Sequence, residues 1–204
     1  MADTARDAEI IASLQKPGAG VPLRQRLMMR YIVGPFVAGR ADWDKDKTDF
    51  SAVNTKVLRA IDSLNDEQLG TRVLVPPQFG LEDSSRYWSA AMTLEHLVIV
   101  GKSIQKLVVA LSAGIVPDYK ADTAKVKPHT EVTPQEALAL FKNFTSTVMA
   151  DIDRDVKDRD SKAVFAHPWF GPFTARQWHW LLAVHTGLHL KQVRQTVSGL
   201  PART

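Results

Sequence analysis

Apolar residues recur at three- and four-residue steps through five segments of this chain, the period of helices with one buried side. The first segment, Pro22 to Val37, places Leu23, Leu27, Tyr31 and Ile32 on one side. Four longer segments carry the expected core. Residues 48–64 repeat Phe50, Val53, Val57, Ile61 and Leu64. Residues 85–112 offer a stripe of Trp88, Met92, His96, Ile99, Ser103, Leu107 and Ala110, and Gly114 is placed to end the helix. A third helix opens at Thr133-Pro134-Gln135-Glu136, where threonine caps free N–H groups, proline tolerates the first turn and glutamate reaches back. Its inner stripe is Ala137, Phe141, Phe144, Val148 and Ile152. The fourth opens at a second capping box, Thr174 to Gln177, and stops before Gly199 and Pro201.

The intervening stretches set the organisation. Residues 1–20 end in the breaker cluster Lys16-Pro-Gly-Ala-Gly20 and read as a flexible N-terminal segment. Residues 21–200 then form a single helical-bundle domain. Arg40–Lys47 reads as a polar loop, and Asn65–Gln68 caps a short turn. Residues 70–84 read as a connection with an extended piece at 72–75. The stretch from Gly114 to Glu131 is too long for a tight hairpin and fits a crossover between bundle helices. No period-two alternation of strand length is visible. The expected fold is therefore all-α: a four-helix bundle with a long crossover connection and an extra N-terminal helix.

Composition adds mainly exclusions. With 45% hydrophobic and 24% charged residues, the chain falls among ordinary soluble proteins. The net charge of +4 comes from interleaved acids and bases rather than a one-sided basic stripe, which argues against a nucleic-acid partner. Apolar runs fall short of the roughly 20 residues that a membrane span needs. The N-terminus lacks an apolar signal core, so no membrane association and a cytoplasmic location are expected. There is no cysteine, which rules out thiolate ligands and a catalytic thiol from the chain itself.

The histidines carry the chemistry. His185 and His189 stand four residues apart in the last helix, about 40° beyond one full turn, so both rings project from one side. Trp178, His185 and Gln192 repeat at seven residues, which turns that side toward the bundle. His96 lies on the apolar stripe of another helix. Burying three neutral imidazoles without partners is costly. A shared metal ion between the two helices would use their lone pairs; incidental packed histidines are the alternative. Three imidazoles leave at least one coordination position open, and zinc, nickel, copper and iron all suit them. No catalytic base and no residues binding an organic cofactor stand out.

The remaining candidates read more plainly. His129 reads as a surface residue. His179, about 100° round the helix from Trp178, reads as a solvent or flanking position; Glu95, as far round from His96, reads as a flanking residue, with support of the ligand ring from behind as the alternative. His167 reads as holding the loop into the last helix. Trp88, Trp178, Phe170 and Phe173 read as core filler before pocket wall, and Lys191 and Arg194 as a solvated face.

The segment His167-Pro-Trp-Phe-Gly-Pro-Phe-Thr174, followed by Trp178 and His185-x-x-x-His189-Leu-Lys-Gln192, resembles the C-terminal part of DinB-like superfamily proteins. Trp88 to Leu97 resembles that family's second-helix histidine segment, and the likeness spans residues 48–198. The resemblance implies a four-helix bundle, a homodimer, and a divalent ion, nickel or zinc, held by His96, His185 and His189. It also implies thiol-dependent transferase or isomerase chemistry with an external low-molecular-weight thiol, consistent with the missing cysteine. The helix at 22–37 lies outside the family pattern. The expected function is a metal-dependent enzyme acting on a small molecule, as a thiol-dependent transferase or isomerase or as a hydrolase. The alternative is a non-catalytic metal-binding or stress-response module.

Overall fold

The computed structural model describes residues 2–129 and 131–201. Four long helices form the bundle: α3 (Trp43–Ile61), which the short α4 (Asp66–Gly70) follows, α5 (Ala90–Ser112), α6 (Pro134–Asp155) and α7 (Ala175–Ser198). Helix α7 packs on α3 and α5, and α5 packs on α6. The stripe expected on α6 is buried throughout: Ala137, Phe141, Phe144, Val148 and Ile152. Both capping boxes form. Thr133 caps α6 with Glu136, and Thr174 caps α7 with Gln177. At the centre, the Phe144 ring meets Phe50 edge-on at 6.5 Å. A Cβ on Gly101 of α5 would lie 2.4 Å from Phe144 Cζ, so glycine makes room for the ring.

Several boundaries differ from expectation, each for a local reason. Arg40–Lys47 is not a loop throughout. Asp42 accepts a hydrogen bond from the Lys45 N–H and starts α3 at Trp43, which is buried. Helix α5 begins at Ala90 rather than Ser85, because Ser89 is extended and caps the Met92 N–H. Trp88 therefore belongs to a strand. Two short antiparallel ladders occur: β1 (Val73–Leu74), inside the extended piece expected at 72–75, with β2 (Tyr87–Trp88), and β3 (Val164–His167) with β4 (Gly171–Thr174), where no strand was expected. They are two to four residues long, too short for an alternating pattern to register.

The stripe drawn through His96 also needs redrawing. Leu94, Val98, Gly101, Ile104, Val108 and Leu111 of α5 are buried in the core. His96, Ile99 and Ser103 instead face a cavity, and Ser103 is exposed.

The N-terminal region contains helix α1 (Ala2–Ser13), and α2 (Leu23–Met28) runs into a π-helical stretch, Met29–Val37. The α1 region touches the domain where Tyr87 donates to Asp7 at 2.5 Å and the Gln15 N–H donates to Asp83 at 2.8 Å. The 22–37 segment does not bury the side expected. Leu23, Leu27, Tyr31 and Ile32 are exposed, whereas Met29 and Gly34 are buried. Contacts with the β3–β4 turn decide this. A Cβ on Gly34 would stand 3.2 Å from the Phe170 carbonyl oxygen, and Arg30 lies across Gly171, whose φ of +89° suits glycine.

A candidate metal centre

Helices α5 and α7 run antiparallel past one another. At one end Gln192 of α7 reaches the Ser85 carbonyl just ahead of α5; at the other Ser161, ahead of β3, bonds the Leu111 carbonyl. This arrangement sets His96 opposite His185 and His189. Their ring centroids lie 4.6 to 5.2 Å apart, and one nitrogen from each falls within 4.8 Å of the others. His96 and His189 are buried and His185 is partly open to the cavity. The three residues singled out in the sequence thus come together as a group able to hold a metal ion.

The orientation of two rings is fixed from behind. His96 Nδ1 lies 2.6 Å from the Val126 carbonyl oxygen, which can only accept, so Nδ1 carries the proton. His189 Nδ1 lies 2.7 Å from Gln192 Oε1, while the Gln192 amide nitrogen donates to the Ser85 carbonyl at 2.6 Å. That second bond identifies Gln192 Oε1 as the acceptor, so His189 Nδ1 also carries the proton. In both rings the unprotonated Nε2 keeps its lone pair for the shared centre. Trp88 stacks nearly parallel to His189 at 6.2 Å and holds that ring's plane.

Electrostatics keep all three rings neutral. Burial is the leading cause of a lowered pKa at each, and the neighbouring rings add to it at His96 and His185. His96 and His185 fall well below the ordinary 6.5. His189 falls to about 4, with the Gln192 bond opposing the burial. Neutral imidazole is the form that binds a metal. Two ring lone pairs fixed toward a third neutral imidazole are a donor set that fits a divalent cation.

The crossover connection is fastened beside this group. Glu95 is buried, not flanking. It accepts from the backbone N–H of His129 at 3.1 Å and from its ring Nδ1 at 2.6 Å. The His129 side chain itself is exposed. Lys127 donates to Glu82 at 2.6 Å and to the hydroxyls of Ser84 and Ser85. Burial alone would raise the Glu82 pKa, but the bonds from Lys127 and Thr123 outweigh it and the pKa ends lowered. None of these partnerships was read from the sequence. The one local signal was Gln192, three residues after His189 and so on the same side of α7.

The centre opens on a cavity of about 420 Å³, walled by α5 and α7, by residues 80–85, by the crossover and by the β3–β4 region. His167 lines it and also holds the turn, as expected. Its Nδ1 accepts the backbone N–H groups of Trp169 at 3.1 Å and Phe170 at 3.3 Å. The ring proton is therefore on Nε2, for which no protein acceptor occurs among the described residues. Enclosure among the rings of Phe170, Trp178 and Trp169 lowers its pKa to about 3, so it stays a neutral donor. Trp178 lines the cavity while its indole N–H bonds the Phe165 carbonyl; Phe173 is core. His179 is not at the surface. It is buried against Trp43 at 4.3 Å, on the side of α7 that meets α3. Lys191 and Arg194 are exposed.

Fold and site together define a four-helix bundle with a histidine-lined pocket between two of its helices. A sequence profile of the DinB superfamily matches residues 49–193, and the chain belongs to that family. No curated protein matches. Two solved structures share the fold. TT2238, described as a four-helix bundle protein, is 20% identical, with a TM-score of 0.52 over 75% of this chain and 98% of its own. YfiT from Bacillus subtilis is 19% identical, with a TM-score of 0.54 over 90% of this chain and 91% of its own. YfiT is described as a probable metal-dependent hydrolase with an unusual four-helix bundle topology. Among the described residues, no helix is long and apolar enough to cross a membrane.

Proposed function

We propose that this protein is a divalent-metal-dependent enzyme acting on a small molecule, with His96, His185 and His189 as the metal ligands. One observation carries this reading: the convergent lone pairs lie in the wall of a cavity large enough for a ligand, not sealed inside the core. A site that serves only to brace helices is normally closed by four protein ligands. When bound, the ion would supply Lewis acidity to a nucleophile, either water or an external thiol. The chain's own residues do the rest. Val126 and Gln192 hold two ligand rings in the required tautomer, and the apolar walls limit water. His167 Nε2–H offers a neutral donor to a substrate oxygen.

The description of YfiT as a probable metal-dependent hydrolase agrees with the hydrolytic form of this reading. Nickel and zinc are the ions proposed. The test is metal content of untagged protein, followed by turnover of ester and electrophile panels with and without thiols. Metal content falling in His185→Ala together with loss of turnover would support it. A wild type that takes up no divalent ion would end it.

A second reading, a non-catalytic metal-binding module, has its own observation. Both cavity-lining carboxylates, Glu82 and Asp122, already accept hydrogen bonds, Glu82 from Lys127 and Thr123 and Asp122 from the Ala124 N–H. No other carboxylate lines the cavity among the described residues. Metal uptake without turnover of any panel member would favour it. We further propose a homodimer that covers exposed Leu23, Leu27, Tyr31, Ile32 and Phe36. Light scattering on Tyr31→Glu should then give a monomer.

A further inference from the structure

We propose that the cavity takes a substrate with an extended apolar chain, acyl or alkyl, whose polar head lies at the three histidines. The inference rests on the proposed metal site for the head but on separate observations for the chain. The cavity follows the antiparallel pair of helices away from the histidines. On α5 it is lined from His96 past Val100 and Ile104 to Leu107; on α7 it is lined from His189 back past Leu181 to Trp178. Eleven residues separate His96 from Leu107, roughly 16 Å of helix at 1.5 Å per residue. The chamber is therefore long rather than round.

Apart from the His167 Nε2–H, its polar groups along that length are paired or exposed at the rim. The Lys127 ammonium is taken up by Glu82, Ser84 and Ser85. The Ser103 hydroxyl donates to the Ile99 carbonyl. The lining cations without an acid partner among the described residues, Lys120 and Lys125, are exposed at the rim of the crossover. Beyond the single His167 Nε2–H, a sugar, nucleotide or amino acid would find nothing within the chamber to pair its several hydroxyls or charges, and burying those unpaired is unfavourable. A hydrocarbon chain loses nothing there and gains from leaving water.

The test is a homologous series of straight-chain hydroxamates, from acetohydroxamate to decanohydroxamate, titrated into zinc-loaded protein by calorimetry. A parallel series of n-alkanols, which lack a chelating head, is titrated into metal-free protein. The expected result is a gain of about fourfold in affinity per added methylene, the value for burying one CH₂, until the chamber is full. Val100→Phe, at a partly exposed lining position, should cut off the gain at a shorter chain and leave acetohydroxamate binding unchanged. A length-dependent gain for alkanols supports the chamber even if hydroxamates reveal no metal. Tight acetohydroxamate binding with no gain from either series overturns the chain proposal while leaving the metal reading intact. A gain that Val100→Phe does not alter also overturns it, because the chain would then lie elsewhere.

Discussion

Gln192 accepts the Nδ1 proton of His189 at 2.7 Å and spends its own amide on the Ser85 carbonyl, so a buried glutamine ties a candidate metal ligand to the turn before α5. Partners that orient a ligand ring in this way normally matter nearly as much as the ligand. Gln192→Ala should weaken divalent-ion affinity about 10–100-fold, measured by competition with a chromogenic chelator, with the helical circular dichroism retained. Unchanged affinity would show that His189 does not act as a ligand in the tautomer described.

Gly101 and Phe144 make a second test, of packing alone. Gly101→Ala places a methyl 2.4 Å from the Phe144 ring edge, and the same ring also packs edge-on against Phe50. Overpacking of this kind costs about 1–3 kcal/mol, visible as a lower urea midpoint. Adding Phe144→Leu in the same chain should recover part of the loss. If the single variant is as stable as the parent, the helix pair is looser than described.

Acid should destabilise the metal-free protein. His179 titrates near 4 in the fold, against 6.5 when exposed, because burial disfavours its charged form. Between those values the unfolded chain binds a proton that the folded chain refuses. The folded state is thus most favoured above about pH 6.5, and the advantage is lost as pH falls toward 4. His167 and His189 act in the same direction. Asp46 opposes them. Burial raises its carboxyl to about 6, so its contribution is present below the ordinary 3.8 and fades as pH rises through 6. The imidazoles outnumber it. Denaturation midpoints should fall from pH 7 to 4.5, and His179→Phe should flatten that slope by up to one proton. An unaltered slope in the variant would contradict the burial of this ring.

Glu95 anchors the crossover rather than the chemistry. Glu95→Ala removes the acceptor of the His129 hydrogen bonds, and because the donors it leaves lie on an exposed residue the cost is about 0.5–1.5 kcal/mol. Limited proteolysis should then cut within residues 114–131 faster than in the parent. Cleavage at the parent rate would mean that the loop is held by Val126 and Lys127 alone.

The periodic pattern made much of the architecture legible. The α6 stripe and both capping boxes follow from spacing and cap chemistry, which are local. The pairing of His96 with His185 and His189 could be anticipated because each lies on a non-polar side of its helix. The 22–37 segment could not, since its inner side is set by contact with Phe170 and Gly171, far away in sequence. His179 was misplaced for a related reason. Helix α7 is buried against both α3 and α5, so a residue a quarter-turn from the pocket meets Trp43 and not water. Glu95, Lys127 and Gln192 act through partners 3 to 107 residues away, and hydrogen bonds of that reach leave little mark in a one-dimensional pattern.

The nitrogen donors and the apolar lining residues Ile99, Val100, Ile104, Leu107, Leu181 and Leu188 sit on the same two rods, α5 and α7. Reactive end and selecting end therefore share one rigid frame. Swapping a side chain two turns from the histidines would change which molecules fit without disturbing the donors. A scaffold of that kind can acquire new clients by point substitution while its chemistry stays put.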